Sequence, residues 1–129
     1  MLDLLRRLNA RGHEAVIVSA SPRWLIEAAA RRLGLDPQRT IAQAVYVEDG
    51  VLTSTDVPPT IFRGGKVEAI RQKFGRMPGL SAGNSWSDVE MLEAASTIQL
   101  MINPTRLNTQ EKDLPSYAKE QGWLIEFLS

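Results

Sequence analysis

The sequence predicts a three-layer α/β sandwich with a mostly parallel sheet and one β-hairpin excursion. Three observations carry that prediction. Short apolar runs alternate with helical patterns along most of the chain, an order that right-handed crossovers turn into a parallel sheet. The runs Val16-Ile-Val18 and Gly79 to Gly83 each end in small hydroxyl or amide residues ahead of a helical pattern. In an open parallel sheet, such strand ends deliver polar groups into a ligand crevice. Finally, Val45 to Thr53 alternates around Asp49-Gly50, a strong short-range hairpin signal.

Each element follows from its local pattern. Leu2, Leu5 and Leu8 share one face of an amphipathic N-terminal helix that stops at Gly12. Glu14 to Val18 is short, apolar and rich in β-branched residues, which predicts a strand buried on both faces. Ser19 or Ser21 can cap the next helix, and Pro22 suits its first turn. That helix carries Leu25, Ile26, Ala29 and Leu33 and ends at Gly34. After the hairpin, Thr55 to Gly65 holds Pro58, Pro59, Gly64 and Gly65 and reads as a surface loop. Lys66 to Phe74 is helical, with Val67, Ile70 and Phe74 on one side. Gly79 to Gly83 is a small-residue strand, and Ser85 or Ser87 caps a helix running to about Ala95. Thr97 to Ile102 is a strand stopped by Asn103-Pro104; Leu107 to Gln121 is polar with a helix near its end; Trp123 to Phe127 is a last strand.

Composition narrows the function classes. The 129 residues form one domain of ordinary hydrophobicity, 43%. Lys plus Arg and Asp plus Glu are 15 each, so no net field draws the chain to nucleic acid or to a membrane surface. No apolar run approaches the roughly 20 residues needed to span a bilayer, and the N-terminus lacks the order of a signal peptide. The absence of cysteine removes disulfides and thiolate metal sites. A cytoplasmic protein is expected.

Four places carry candidate chemistry. Ser19 directly follows a strand, so its hydroxyl and the N–H groups of Ala20 and Ser21 would face a crevice suited to phosphate oxygens; a plain helix cap is the competing reading. Lys66 stands at a helix start, where the dipole disfavours cations; it is either a solvated lysine tolerating that penalty or one that meets a phosphate or carboxylate. No P-loop or dinucleotide fingerprint surrounds it. Asp88 falls in a first helical turn, where an acid is favoured on dipole grounds alone. His13, the single histidine, reads as a surface residue. Trp24, Trp86 and Trp123 read as packing residues, because no basic patch accompanies them.

Taken in order, strand-Ser19, the Val-Glu-Asp-Gly-Val-Leu-Thr53 hairpin, Gly64-Gly-Lys66 and Gly83-Asn-Ser-Trp-Ser-Asp88-Val-Glu-Met-Leu92 resemble the haloacid dehalogenase (HAD) superfamily, in its phosphoserine-phosphatase-like branch. The resemblance runs over nearly the whole chain, and Gly122-Trp-Leu-Ile-Glu126 fits the family's last strand. It implies a HAD-like Rossmannoid sheet and hydrolysis of small phosphomonoesters through an aspartyl-phosphate. It also implies Ser19, Ala20 and Ser21 as phosphate ligands, Lys66 as the charge-balancing lysine, and Asn84 and Asp88 at the Mg²⁺ positions.

Two departures accompany it. The family's opening Asp-x-Asp, which holds the nucleophile and the general acid/base, is absent, as is the cap segment that follows it. The chain therefore corresponds to the C-terminal part of the family's fold, without its usual first, central strand. Either the two strands beside that gap pair directly, or a homodimer or a preceding segment is expected to complete the sheet. Asn84 replaces a metal-binding Asp, so Mg²⁺ binding is weakened, and the chain alone is expected to be inactive. A non-catalytic phosphate-binding or regulatory module is the alternative reading.

Overall fold

The computed structural model describes residues 2–105 and 113–129, and they form two compact units, Met1–Ile61 and Phe62–Ser129. The first opens with α1 (Leu2–Ala10), none of whose residues is buried. Its leucines stay partly accessible, so the amphipathic pattern gives the helix without a covered face. β1 spans Val18–Pro22, later than the Glu14–Val18 run. The ladder explains the shift. Val18 pairs with Ile41 and Ser19 with Ala42 of β2 (Ile41–Gln43), in parallel, and the Ile41 N–H donates to the Ile17 carbonyl at 2.9 Å. The β-branched run leads into the strand instead of filling it.

A register break between Ser19 and Pro22 separates the strand from α2 (Arg23–Leu33). Neither Ser19 nor Ser21 caps that helix. Pro22 occupies the cap position without a side-chain bond, and the C-terminus closes on left-handed Gly34, whose N–H reaches the Arg31 carbonyl. Trp24, expected to pack, is 51% exposed. A 3₁₀ turn at Pro37–Arg39 is capped by Asp36.

β3 (Val45–Glu48) and β4 (Val51–Asp56) form the antiparallel hairpin. Asp49 and Gly50 have φ of 50° and 79°, the positive pair a type I′ turn requires. β4 runs to Asp56, so the expected loop is shorter than Thr55 to Gly65. Its far end is tied down by Gln43, whose Oε1 accepts from the Ile61 N–H at 2.7 Å.

The second unit begins with α3 (Gly64–Phe74), which takes in the two glycines read as loop. β5 (Leu80–Gly83), β6 (Ile98–Ile102) and β7 (Leu124–Glu126) make a parallel sheet in the order β5-β6-β7. A 3₁₀ turn, Trp86–Asp88, leads into α4 (Val89–Glu93), and α5 (Leu114–Glu120) precedes β7. Leu92, Met101, Leu114 and Ala118 are at most 1% exposed and form the centre of this unit. Residues 107–112 of the polar stretch lie outside the described residues. The described chain is thus mixed α/β with mostly parallel strands. Within its own unit β1 has one strand partner, and β5 is an edge strand.

Candidate active site

Lys66 lies in the first turn of α3 and Asp88 ends the 3₁₀ turn after β5. The two are 5% and 6% exposed, and the lysine ammonium Nζ donates to Asp88 Oδ1. This resolves the reading of Lys66: it is a buried cation that meets a carboxylate. The dipole penalty at the helix start is offset by a counter-ion held in low dielectric.

The other oxygen, Oδ2, is equally committed. It accepts from the Asn84 N–H at 3.0 Å, the Ser85 N–H at 3.2 Å and the Ser85 hydroxyl at 3.2 Å. The Asp88-to-Ser85 bond is the backward half of a capping box, which explains locally why Ser and Asp stand three apart. Burial pushes the Asp88 carboxyl upward; the Lys66 hydrogen bond and charge and the Asn84 and Ser85 amides outweigh it, holding the group below its ordinary 3.8.

Gly83 makes the arrangement sterically possible. A Cβ there would lie 2.5 Å from Asp88 Cβ and 2.9 Å from Oδ2. The loop is also held from outside, because the Thr105 N–H and hydroxyl both donate to the Asn84 carbonyl, at 2.8 and 3.2 Å. Ser85, one of the two serines expected to cap, is the cap of this turn; Gly83 stood in the motif without a role, and Thr105 is a contributor that motif reading passed over. For Gly83 and Ser85 the signal was present, in the requirement for small or capping residues just before a buried acid.

In the first unit, the Ser21 N–H donates to Ser19 Oγ at 3.1 Å. Ser19, Ala20 and Ser21 therefore sit at the register break of β1, not at a cap. Ser19 and Ser21 are half-buried and Ala20 is exposed. Lys66, Asn84 and Asp88 are brought together within the second unit. Trp86 and Trp123 do pack, both against Tyr117, with ring centroids 5.2 and 5.6 Å apart.

A family model for haloacid dehalogenase-like hydrolases matches residues 1–93. The chain belongs to that family. As a HAD hydrolase it is similar to a phosphoserine phosphatase of Mycobacterium tuberculosis, with 33% identity over 121 residues that cover 88% of this chain and 36% of the relative. The chain spans little more than a third of the length of the first curated relatives it matches. Among solved structures, a protein of unknown function from Bordetella pertussis superposes with a TM-score of 0.81 at 26% identity, covering 97% of this HAD chain and 56% of the other. A HAD family hydrolase from Salmonella enterica serovar Typhi, at 20% identity and a TM-score of 0.64 over 81% of this chain and 37% of that one, shares the fold.

Family membership implies Mg²⁺, but the residues described do not by themselves fit it. A carboxylate offers about four acceptor sites, and Asp88 already receives four donors, one of them an ammonium. Mg²⁺ needs carboxylate charge in a near-octahedral oxygen shell. Among the described residues, no group of three or more His, Cys, Asp or Glu is placed to hold a metal ion. Nor is any described helix long and apolar enough to cross a membrane.

Proposed function

We propose that this chain carries the phosphate-handling part of a HAD-type phosphomonoesterase. Lys66 is the charge-bearing catalytic group, Ser19 with the Ala20 and Ser21 amides receives phosphate oxygens, and Asn84 and Asp88 shape the loop that holds Lys66. The observation that supports this most is the buried Lys66–Asp88 pair at the end of β5. An ammonium has three donors, and one is used on Asp88. Fixed in place and poorly solvated, the remaining donors attract an oxyanion far more strongly than a mobile surface lysine would.

Phosphoryl transfer rests on positioning and charge stabilisation, yet it also needs a nucleophile. No Asp-x-Asp occurs in the 129 residues. The chain alone is accordingly inactive in this reading. The filled acceptor sites of Asp88 favour a second one, a phosphate-binding module without catalysis. We further propose that a strand from outside this chain, or from a second copy, completes the sheet, since unpaired strand edges leave backbone groups without partners.

The test is phosphatase turnover of phosphoserine and p-nitrophenyl phosphate by the purified chain with Mg²⁺, beside calorimetric titration with inorganic phosphate. The expected result is phosphate binding without turnover, with binding weakened in Ser19→Ala and Lys66→Met. Turnover would refute the inactivity, and absence of phosphate binding would remove the site. Solution mass tests the second copy: a dimer favours it, and a monomer removes it.

A further inference from the structure

Trp86 belongs to the same 3₁₀ turn as Asp88, and its ring joins a small aromatic cluster. It lies against Tyr117 of α5 at 5.2 Å and a 53° tilt, and Tyr117 meets Trp123 edge-on at 5.6 Å and 82°. These are favourable offset and T-shaped geometries. The Tyr117 hydroxyl donates to Glu93 Oε1 of α4 at 2.5 Å. One side chain thus touches the site-bearing turn, the helix after it, and the segment entering β7.

Its own helix is firmly seated, because Leu114 and Ala118 are 1% and 0% exposed. Among the described residues, the loop between β5 and α4 is also held from outside by Thr105 on the Asn84 carbonyl and by Lys66 on Asp88. We propose that Tyr117 is a positioning residue of the Lys66–Asp88 site. Its ring clamps Trp86, and through that turn it keeps the Asn84 and Ser85 amides on Asp88 Oδ2. The ring does this, not the hydroxyl. That the clamped site binds phosphate rests on the function proposed above.

The experiment uses the full chain and two readouts. Amide hydrogen exchange at Asn84 and Ser85 is compared with exchange at Met101 and Ile125 in the sheet, and inorganic phosphate is titrated calorimetrically. Tyr117→Leu is expected to speed exchange at Asn84 and Ser85 by up to about tenfold and to weaken phosphate binding in parallel. Exchange at Met101 and Ile125 should stay within about twofold. Tyr117→Phe, which keeps the ring and drops the Glu93 bond, should match the wild type in both readouts.

Unchanged exchange at Asn84 and Ser85 in Tyr117→Leu overturns the proposal, as does an equal acceleration in the sheet. Should Tyr117→Leu not fold, Trp86→Leu tests the same contact from the loop side, with Trp86→Phe as the rescue; unaltered loop exchange there overturns it too. The exchange arm needs no ligand. Failure of the wild type to bind phosphate therefore counts against the proposed function, while exchange still decides the role of Tyr117.

Discussion

Replacing Lys66 by Met isolates the energetic content of the site. Methionine fills much of the space of the lysine stem and carries no charge. What remains is the Asp88 carboxylate, 6% exposed and without its counter-ion. Removing one partner of a buried pair costs about 3–5 kcal/mol, because the other charge is left uncompensated. Asp88 keeps three donors on Oδ2, which places the expected loss near the lower end, about 3 kcal/mol. Arg7–Asp3 of α1 serves as a control, since its side chains are 72% and 74% exposed and such pairs contribute about 0.2–1 kcal/mol.

Acidity supplies a second axis. Folded Asp88 in the wild type titrates below 3.8, so its contribution is fully present above that value and is lost as pH falls through the folded pKa. In Lys66→Met burial persists without the ammonium, which drives the folded pKa upward. The charged carboxylate then opposes folding at neutral pH, and the penalty is relieved as pH falls through the raised pKa. The deficit of the variant is therefore largest near neutrality and shrinks on acidification. Urea unfolding is followed by fluorescence in a Trp24→Phe background, where Trp86 and Trp123 both report on the second unit. A loss under about 1 kcal/mol at neutral pH, or one that does not change with pH, would refute the buried-pair argument.

Three further changes probe the surroundings. Gly83→Ala forces a Cβ to within 2.5 Å of Asp88 Cβ; it should destabilise by about 1–3 kcal/mol in the same urea assay, and unchanged stability would refute the close approach. The Tyr117 phenol lies above its ordinary 10.0, chiefly through its hydrogen bond to Glu93, so Glu93→Gln in a Tyr46→Phe background should lower the spectrophotometric titration midpoint. An unmoved midpoint would remove that bond from the account. Asn84→Asp sets a second carboxylate on the loop beside Asp88 and should weaken phosphate binding in metal-free buffer; equal or tighter binding in calorimetry would contradict a site built for anions.

Much of this was legible in the residues, and the failures have physical reasons. Asp49-Gly50 specified its turn because only positive φ closes a two-residue hairpin with the right twist. Asp88 and Lys66 stood out by motif order, and the structure brings them together. β2 escaped notice because Ile41–Gln43 is three residues long and takes its identity from pairing with β1, a contact no local pattern encodes. For the same reason the β1 boundary moved from Val18 to Pro22: register with a distant partner outweighed β-branched propensity. The expected Ser19 cap gave way to an Ser21-to-Ser19 hydrogen bond at the register break, since hydroxyl side chains bond the nearest free amide whether or not a helix follows. Tyr117 carried no signal at all, because its importance lies in two rings 31 and 6 residues away.

Asn84 takes on a definite meaning once the donors to Asp88 are counted. Of the four, only one comes from Lys66; the other three belong to the loop itself. The aspartate is therefore stabilised by neutral dipoles as well as by the ammonium, and the ammonium is held in position by the pair. A pinned cation with spare donors still attracts an oxyanion. A second acid at position 84 would bring one more negative charge to the same small volume and would need a cation to offset it. With an amide there, the loop supplies backbone donors and no additional charge, which suits the anion site proposed above. Under the proposed function, the amide that weakens the metal chemistry expected of the family is also the residue that adds no charge opposing the attraction of Lys66 for phosphate.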